Sequence, residues 1–139
     1  MRSRTLEAQI INRIETKGGD VFLRADFSDL GGYDQVGRAL RGIVKKGRLL
    51  RVGYGVYTRA VESPFSGRLV PKKGLATLKE ALQRLGVEIG PARLEQDYNA
   101  GRTTQVPTGR VVAVRGRVRR KLGYNGINLS FERARPEPR

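Results

Sequence analysis

Glycines divide the first 62 residues of the chain into short segments, and this division limits what the segments can form. The breaks fall at Gly18-Gly19, at Gly31-Gly32, at Gly47 and at Gly53-Tyr54-Gly55. Glycine readily takes the left-handed conformations found at helix ends and in tight turns. The segments between these breaks can hold only short helices and strands, and the order of these elements determines the fold.

The first segment has apolar residues four positions apart, which predicts an amphipathic helix over Thr5–Lys17. These residues are Leu6, Ile10 and Ile14. A short extended piece follows at Val21–Leu23. The next residues, Arg24–Leu30, are predicted to form a brief second helix before the glycine turn.

A third helix is predicted from an N-cap at Asp34 to Gly47. Its apolar residues are predicted to face inward, and its polar and basic residues to face outward. The outward residues are Gln35, Arg38, Arg41 and Lys45. The sequence Leu49–Tyr57 then predicts a hairpin with a glycine-flanked turn. Helix, short helix, turn, basic helix and hairpin, in this order, are typical of a winged helix-turn-helix.

The predicted fold class is α+β, with this N-terminal motif followed by a small C-terminal α/β-hairpin domain. Pro and Gly are frequent in residues 63–74, which are predicted to be a linker. The flanking domains are residues 1–62, a winged helix-turn-helix, and 75–133, in which Leu75–Leu85 forms a helix. Residues 134–139 are predicted to be a disordered tail.

The dipeptide Asn125-Gly126 predicts a two-residue hairpin turn and so predicts the register of its strands. In this register Leu122 faces Leu129, and Arg120 faces Phe131. One face is then apolar, and the other carries a row of basic residues with Glu132 opposite Arg119. The row consists of Arg115, Arg117, Arg119 and Lys121.

Net charge is the strongest indication of a partner. The formal charge is +15, and residues 64–139 hold 16 Lys and Arg against 6 Asp and Glu. Such an excess indicates a polyanionic partner, bound through phosphate neutralisation and counterion release.

Histidine and cysteine are both missing from the sequence. This excludes imidazole and thiolate metal sites, disulfides, Cys nucleophiles and His acid-base chemistry. We therefore expect a protein that is not an enzyme and uses no cofactor. The apolar runs are too short for a membrane span, and the N-terminus lacks the apolar block of a secretory signal, so a cytoplasmic, nucleoid-associated location is expected.

The predicted DNA interface lies on the third helix and the hairpin, since the second helix of the motif enters the major groove. Gln35 and Arg38 are candidates for base reading, with Tyr33 at the entrance and Arg41 and Lys45 near the backbone. The hairpin candidates for phosphate or minor-groove contacts are Arg48, Arg51 and Tyr54. The alternative is a solvated charged face on an ordinary three-helix unit.

The basic row defines a second candidate surface. Its side chains would lie about 6.5 to 7 Å apart along a strand, close to the spacing of phosphates along nucleic acid. The surface comprises Arg102, Arg110, Arg115, Arg117, Arg119 and Lys121. It serves a nucleic-acid backbone, an acidic protein partner or solubility alone.

Five segments carry a resemblance to a known family. They are Phe22–Phe27, Leu30–Val36, Gly53–Tyr57, Glu95–Asn99 and Thr104–Gly109. Over about residues 5–133 the chain resembles the AbiEi-type antitoxins of type IV toxin-antitoxin systems, which occur in bacterial genomes and mobile elements. The resemblance implies a winged helix that binds operator DNA and represses its own operon. It also implies a C-terminal domain that antagonises a nucleotidyltransferase-like toxin.

The leading hypothesis is a DNA-binding transcriptional autoregulator that acts as the antitoxin of such a pair. Its expected partners are double-stranded operator DNA, a cognate toxin and, on a pseudo-palindromic site, a second copy of the chain. Two alternatives stay open. One is an RNA-binding module that uses the basic row, and the other is an interaction protein that neutralises an acidic toxin directly.

Overall fold

The computed structural model of the chain describes residues 5–134, which form an α+β protein. The helices are α1 (Leu6–Thr16), α2 (Tyr33–Lys45), α3 (Leu75–Arg84) and α4 (Arg93–Asn99), and a 3₁₀ turn, Arg24–Phe27, precedes α2. The strands are β1 (Val21–Leu23), β2 (Leu49–Gly53), β3 (Val56–Glu62), β4 (Leu69–Pro71), β5 (Ile89–Pro91), β6 (Val111–Val114), β7 (Gly123–Tyr124), β8 (Ile127–Asn128) and β9 (Ser130–Arg133). Within the described residues, every helix is too short or too polar to cross a membrane.

The first predicted helix is confirmed as α1. Thr5 lies just before it in an extended conformation, and its Oγ1 accepts a hydrogen bond from the amide of Ala8 at 3.1 Å. This contact satisfies one of the free amides at the helix N-terminus. Ile10 and Ile14 form the buried face of α1, which packs against α2.

The N-terminal sheet has the order β1-β3-β2, with all neighbours antiparallel, and β4 pairs with the end of β3. Successive side chains of a strand point to opposite faces. In β1, Phe22 packs with α1 and α2, whereas Val21 packs on the other face. Tyr57 and Val56 of β3 separate in the same way. The sheet therefore carries a hydrophobic core on each face.

The two cores differ in what they join. The first core lies between the sheet and the helices α1 and α2, and includes the 3₁₀-turn residue Phe27. The second core joins the other face of the sheet to α3, to β6 and to the C-terminal hairpin, through Leu78, Leu82, Val112 and Leu122. Because the second core takes residues from both predicted domains, the halves of the chain are packed together.

Two predictions in the N-terminal half need correction. The second helix, expected over Arg24–Leu30, is only the single 3₁₀ turn. The N-cap of α2 is Gly32 instead of Asp34, which lies in the first turn of the helix. The reason is that the side chain of Gln35 accepts a hydrogen bond from the Gly32 amide at 3.3 Å, so the helix begins earlier.

The predicted linker also differs from the structure. Residues 63–74 contain β4, in which Leu69 lies opposite Glu62 and Pro71 opposite Ala60. A proline has no amide to donate, and an edge strand such as β4 tolerates this. The segment is therefore part of the sheet and not a free connection. The predicted helix at its end is confirmed as α3.

The turn predicted at Asn125-Gly126 is confirmed. Both residues have positive φ values, 48° and 78°, as a two-residue hairpin turn of this type requires. Tyr124 lies opposite Ile127, and the amide of Leu129 donates to the carbonyl of Leu122 at 3.0 Å.

Beyond this turn the predicted ladder is wrong. Residues 115–122 belong to no strand, because Gly116, with φ 81°, turns the chain after β6. Instead, β9 pairs in parallel with β6, so that Phe131 faces Val112 and not Arg120, and Glu132 faces Ala113 and not Arg119. β5 completes this three-stranded sheet. The helix α4 was not predicted, and the predicted tail lies outside the described residues apart from its first residue.

One carboxylate links the two halves. Asp26 accepts hydrogen bonds from the amide of Leu23 at 2.9 Å and from Arg84 of α3 at 2.7 Å, and Lys17 lies 3.3 Å away. Burial acts to raise the pKa of Asp26. These hydrogen bonds and the charges of Arg84 and Lys17 outweigh burial, so the pKa lies below its ordinary 3.8.

This network predicts an acid sensitivity. A carboxyl with a depressed folded-state pKa contributes stability that is present above its unfolded pKa and is lost as pH falls through the folded value. Urea midpoints of the wild type should therefore fall as pH drops below about 4, and Asp26→Asn should show a smaller fall. Identical pH profiles for Asp26→Asn and the wild type would contradict this.

The shared core predicts cooperative unfolding of both halves. Leu122 is 1% exposed, and Leu122→Ala should lower the free energy of unfolding by about 2 to 5 kcal/mol. Urea titration followed by circular dichroism and by tyrosine fluorescence should show one coincident, shifted transition. Ile127→Ala, in the same hairpin but half-buried, should cost less. Two separate transitions, one of them at the wild-type urea midpoint, would show that the halves fold independently.

Candidate nucleic-acid interface

The helix α2 separates into a buried apolar face and an exposed basic stripe. The buried residues are Val36, Leu40 and Ile43, and the basic stripe consists of Arg38, Arg41 and Lys45. The stripe residues recur at spacings of three and four, which places them on one face of the helix. Among residues 5–134, no ion-pair or hydrogen-bond partner is found for any of the three side chains. The stripe therefore presents unneutralised charge to solvent.

Acidic side chains are mostly engaged elsewhere. Asp20 lies 3.6 Å from both Arg59 and Lys73, and Asp29 pairs with Arg13. Asp34 is the one acidic residue within α2, and it lies in the first turn, where a carboxylate is favourable to the helix dipole. Among residues 5–134, the acids that form ion pairs thus neutralise cations outside the basic stripe and leave the stripe uncompensated.

Ion pairs with α1 bound the stripe at the C-terminal end of α2. Lys46 contacts Glu7, and the guanidinium of Arg48 lies 3.6 Å from Glu15. Arg48, a predicted hairpin contact, is exposed, but its charge is partly balanced by Glu15. It is therefore a weaker candidate for phosphate binding than the stripe residues.

Gln35 is exposed at the N-terminus of α2, as expected for a base-reading residue. Its Oε1 accepts the hydrogen bond from the Gly32 amide, so its NH₂ group and one remaining lone pair of Oε1 are available for a ligand while the cap is kept. Reading an adenine with both amide atoms would require Oε1 to accept from the adenine amino group and from the Gly32 amide together.

Tyr33 is held in place by Arg24. The guanidinium of Arg24 lies 3.5 Å from the centre of the Tyr33 ring, and its Nε donates to the Tyr33 carbonyl at 3.2 Å. Gly37, on the next turn of α2, makes room for this guanidinium, since a Cβ there would overlap it. The arrangement fixes the first turn of α2 by a cation-π contact and a hydrogen bond.

A tyrosine bridge joins α2 to the β2–β3 turn. The hydroxyls of Tyr33 and Tyr54 are 2.9 Å apart, and this hydrogen bond raises the pKa of Tyr33 above its ordinary 10.0. Tyr54 is 69% exposed. Arg51, on β2, lies 6.0 Å from the centre of the Tyr54 ring and donates to the carbonyl of Gly53 at 3.3 Å. Helix and hairpin thus present one joined, exposed surface.

Sequence reasoning missed Arg24 as part of this surface. The available signal was Gly37, because a glycine inside a helical pattern often marks a close approach by another group. Nothing local to Arg24 indicates that its side chain crosses to α2. The contact follows from the position of the 3₁₀ turn against that helix.

The second candidate surface is divided by ion pairs. Arg102 lies 2.9 Å from Asp97, and Arg115 lies 3.4 Å from Glu88, so both are partly neutralised. The remaining residues are exposed and have no ion pair within the described part of the chain; they are Arg110, Arg117, Arg119 and Lys121. They follow a loop and not a strand, so the strand spacing expected for them does not apply.

These features define an α+β protein with an uncompensated basic helix beside a β-hairpin. Residues 9–137 match DUF6088, described as a family of unknown function, and the chain belongs to this family. No curated protein and no solved structure matches it.

The tyrosine bridge predicts a titration change. Tyr54→Phe removes the hydroxyl that bonds Tyr33, so the pKa of Tyr33 should fall toward 10.0. NMR of chains labelled at tyrosine Cζ, followed against pH, reports this value directly. Tyr98→Phe removes a hydroxyl from α4 and should leave the Tyr33 titration unchanged. A Tyr33 pKa that is the same in Tyr54→Phe and the wild type would contradict the bridge.

Proposed function

We propose that this protein binds double-stranded DNA, with α2 in the major groove and the β2–β3 turn against the adjacent backbone. The observation that carries the proposal is the basic stripe of Arg38, Arg41 and Lys45, exposed and without ion pairs among the described residues. An α-helix fits the major groove, and unpaired cations on its outer face gain most from phosphate neutralisation.

The arrangement of elements supports a winged helix-turn-helix. The order is α1, β1, 3₁₀ turn, α2 and the β2–β3 hairpin, with β1 paired to β3. In this interpretation the 3₁₀ turn replaces the short helix of the motif, α2 is the recognition helix and the hairpin is the wing.

The side chains divide by role in this proposal. Arg38 and the NH₂ group of Gln35 read base edges, and Arg41 and Lys45 bind phosphates. Tyr33 and Tyr54 position the first turn of α2 against the wing, and Arg51 adds a cation beside them.

The regulatory part of the proposal rests on the resemblance to AbiEi-type antitoxins. We propose that the DNA site is the operator of the chain's own operon and that a toxin encoded beside it is the second partner. Binding to the upstream region of that operon and co-purification of the neighbouring gene product test these two statements separately.

Removal of two stripe charges tests duplex binding. Arg41→Ala/Lys45→Ala should lower the affinity for a mixed-sequence duplex by about 10- to 100-fold and reduce the slope of log K against log salt by about 2. Fluorescence anisotropy across a salt series measures both quantities.

Arg93→Ala/Arg133→Ala is the charge-matched control, since these exposed residues lie on α4 and β9. It should change both quantities far less. Equal losses in the two double variants would mean that net charge alone acts. No loss in Arg41→Ala/Lys45→Ala, or no duplex binding by the wild type at low salt, would refute the proposal.

Base reading by Arg38 has a distinct outcome. Arg38→Ala should reduce the preference for operator over random DNA by about 10-fold or more, since one bidentate contact contributes about 1 to 3 kcal/mol of discrimination. Competition binding with the operon's upstream region and random duplex measures the ratio. Lys45→Ala, which removes a phosphate contact, should weaken both equally. An unchanged preference in Arg38→Ala would remove it from base reading.

A further inference from the structure

A second basic surface lies directly beside the β2–β3 turn. Residues 115–121, here called the basic loop, connect β6 to Leu122, and four of the last five are basic and exposed. These are Arg117, Arg119, Arg120 and Lys121. The sequence contains no Asp or Glu between Asp97 and Glu132, and none of the four has an ion pair among residues 5–134.

The basic loop is held in place by the second core. Val114 and Leu122, which flank it, are 3% and 1% exposed, and Val118 in its middle packs against the same core. The backbone is therefore ordered before any partner arrives. Binding by such a loop costs less conformational entropy than binding by a free segment.

The basic loop contacts the hairpin turn. Nη1 of Arg120 donates to the carbonyl of Tyr54 at 3.3 Å. Lys121 and Leu122 lie so close to Gly53 that a Cβ there would be 2.8 Å from the Lys121 carbonyl. Lys121 and Arg51 line the same open recess. The loop therefore continues the surface formed by α2 and the turn.

We infer that the basic loop binds backbone phosphates of the same DNA duplex that α2 contacts, beyond the wing. This inference rests on the proposed function and extends its binding surface to residues outside the helix and hairpin. Unpaired guanidinium and ammonium groups are the usual ligands of phosphate oxygens.

An acidic protein is a poorer fit to the basic loop. A protein interface generally has an apolar centre, but the one apolar side chain of the loop, Val118, is turned toward the core. The loop is also not expected to read bases, because it is neither an α-helix nor a two-stranded β-ribbon that could enter the major groove. A phosphate backbone can be bound by the exposed basic side chains of the loop alone.

The test compares two charge-matched double variants of the full chain. Arg119→Ala/Lys121→Ala removes loop charges and keeps Arg120, so the hydrogen bond to Tyr54 stays. Its affinity for a mixed-sequence duplex of about 25 bp should fall about 10- to 100-fold, and its salt slope by about 2. Arg93→Ala/Arg133→Ala is again the control. Thermal unfolding by circular dichroism should be the same for both variants.

Each outcome distinguishes this inference from the proposed function. If the Arg41→Ala/Lys45→Ala variant loses affinity and the loop variant matches the control, the loop assignment is overturned and the proposed function stands. If the loop variant retains duplex binding but loses binding to hairpin RNA, the loop serves RNA and the inference is also overturned. Loss of duplex affinity beyond the control in both the loop variant and the Arg41→Ala/Lys45→Ala variant establishes it, whereas loss in the loop variant alone would overturn the proposed function.

Discussion

The N-terminal sheet is the feature on which the rest of the structure depends, because both of its faces are covered. Alternation along β1 and β3 sends Phe22 and Tyr57 to one core and Val21 and Val56 to the other. A strand that is apolar on both faces is stable only when something packs on each side. The sheet is thus a shared layer between the helices α1 and α2 and the C-terminal half. This packing sets the position of α2, the hairpin turn and the basic loop relative to one another.

Charge is distributed in a way that folding alone does not require. Asp26, Asp20 and Glu7 neutralise cations where elements meet. The stripe on α2 and residues 117–121 of the basic loop have no ion pairs among the described residues, although like charges repel. Exposed ion pairs contribute little to stability, so their absence costs little as well. The excess charge is therefore available for a polyanion. Tyr54 contacts the first turn of α2 through Tyr33 and the basic loop through Arg120.

Local patterns in the sequence predicted the local parts of the fold. Helical spacing predicted α1, the body of α2 and α3, and Asn125-Gly126 predicted its own turn, since these signals depend on neighbouring residues. All eight predicted DNA-contact residues are exposed, although Arg48 is paired and the amide oxygen of Gln35 is engaged. What failed depends on distant pairing. No periodic pattern in the sequence indicates these contacts, which are the parallel pairing of β6 with β9, the pairing of β4 with β3 and the contact of Arg24 with Tyr33.

We propose that the outer face of α2 is the face that meets duplex DNA. Backbone amide NMR of the full chain, titrated with a mixed-sequence duplex at low salt, tests it most directly. We expect the largest chemical-shift changes at α2 from Arg38 to Lys45 and at the β2–β3 turn around Tyr54. Changes confined to α4 and the β5-β6-β9 sheet, with α2 unaffected, would contradict it.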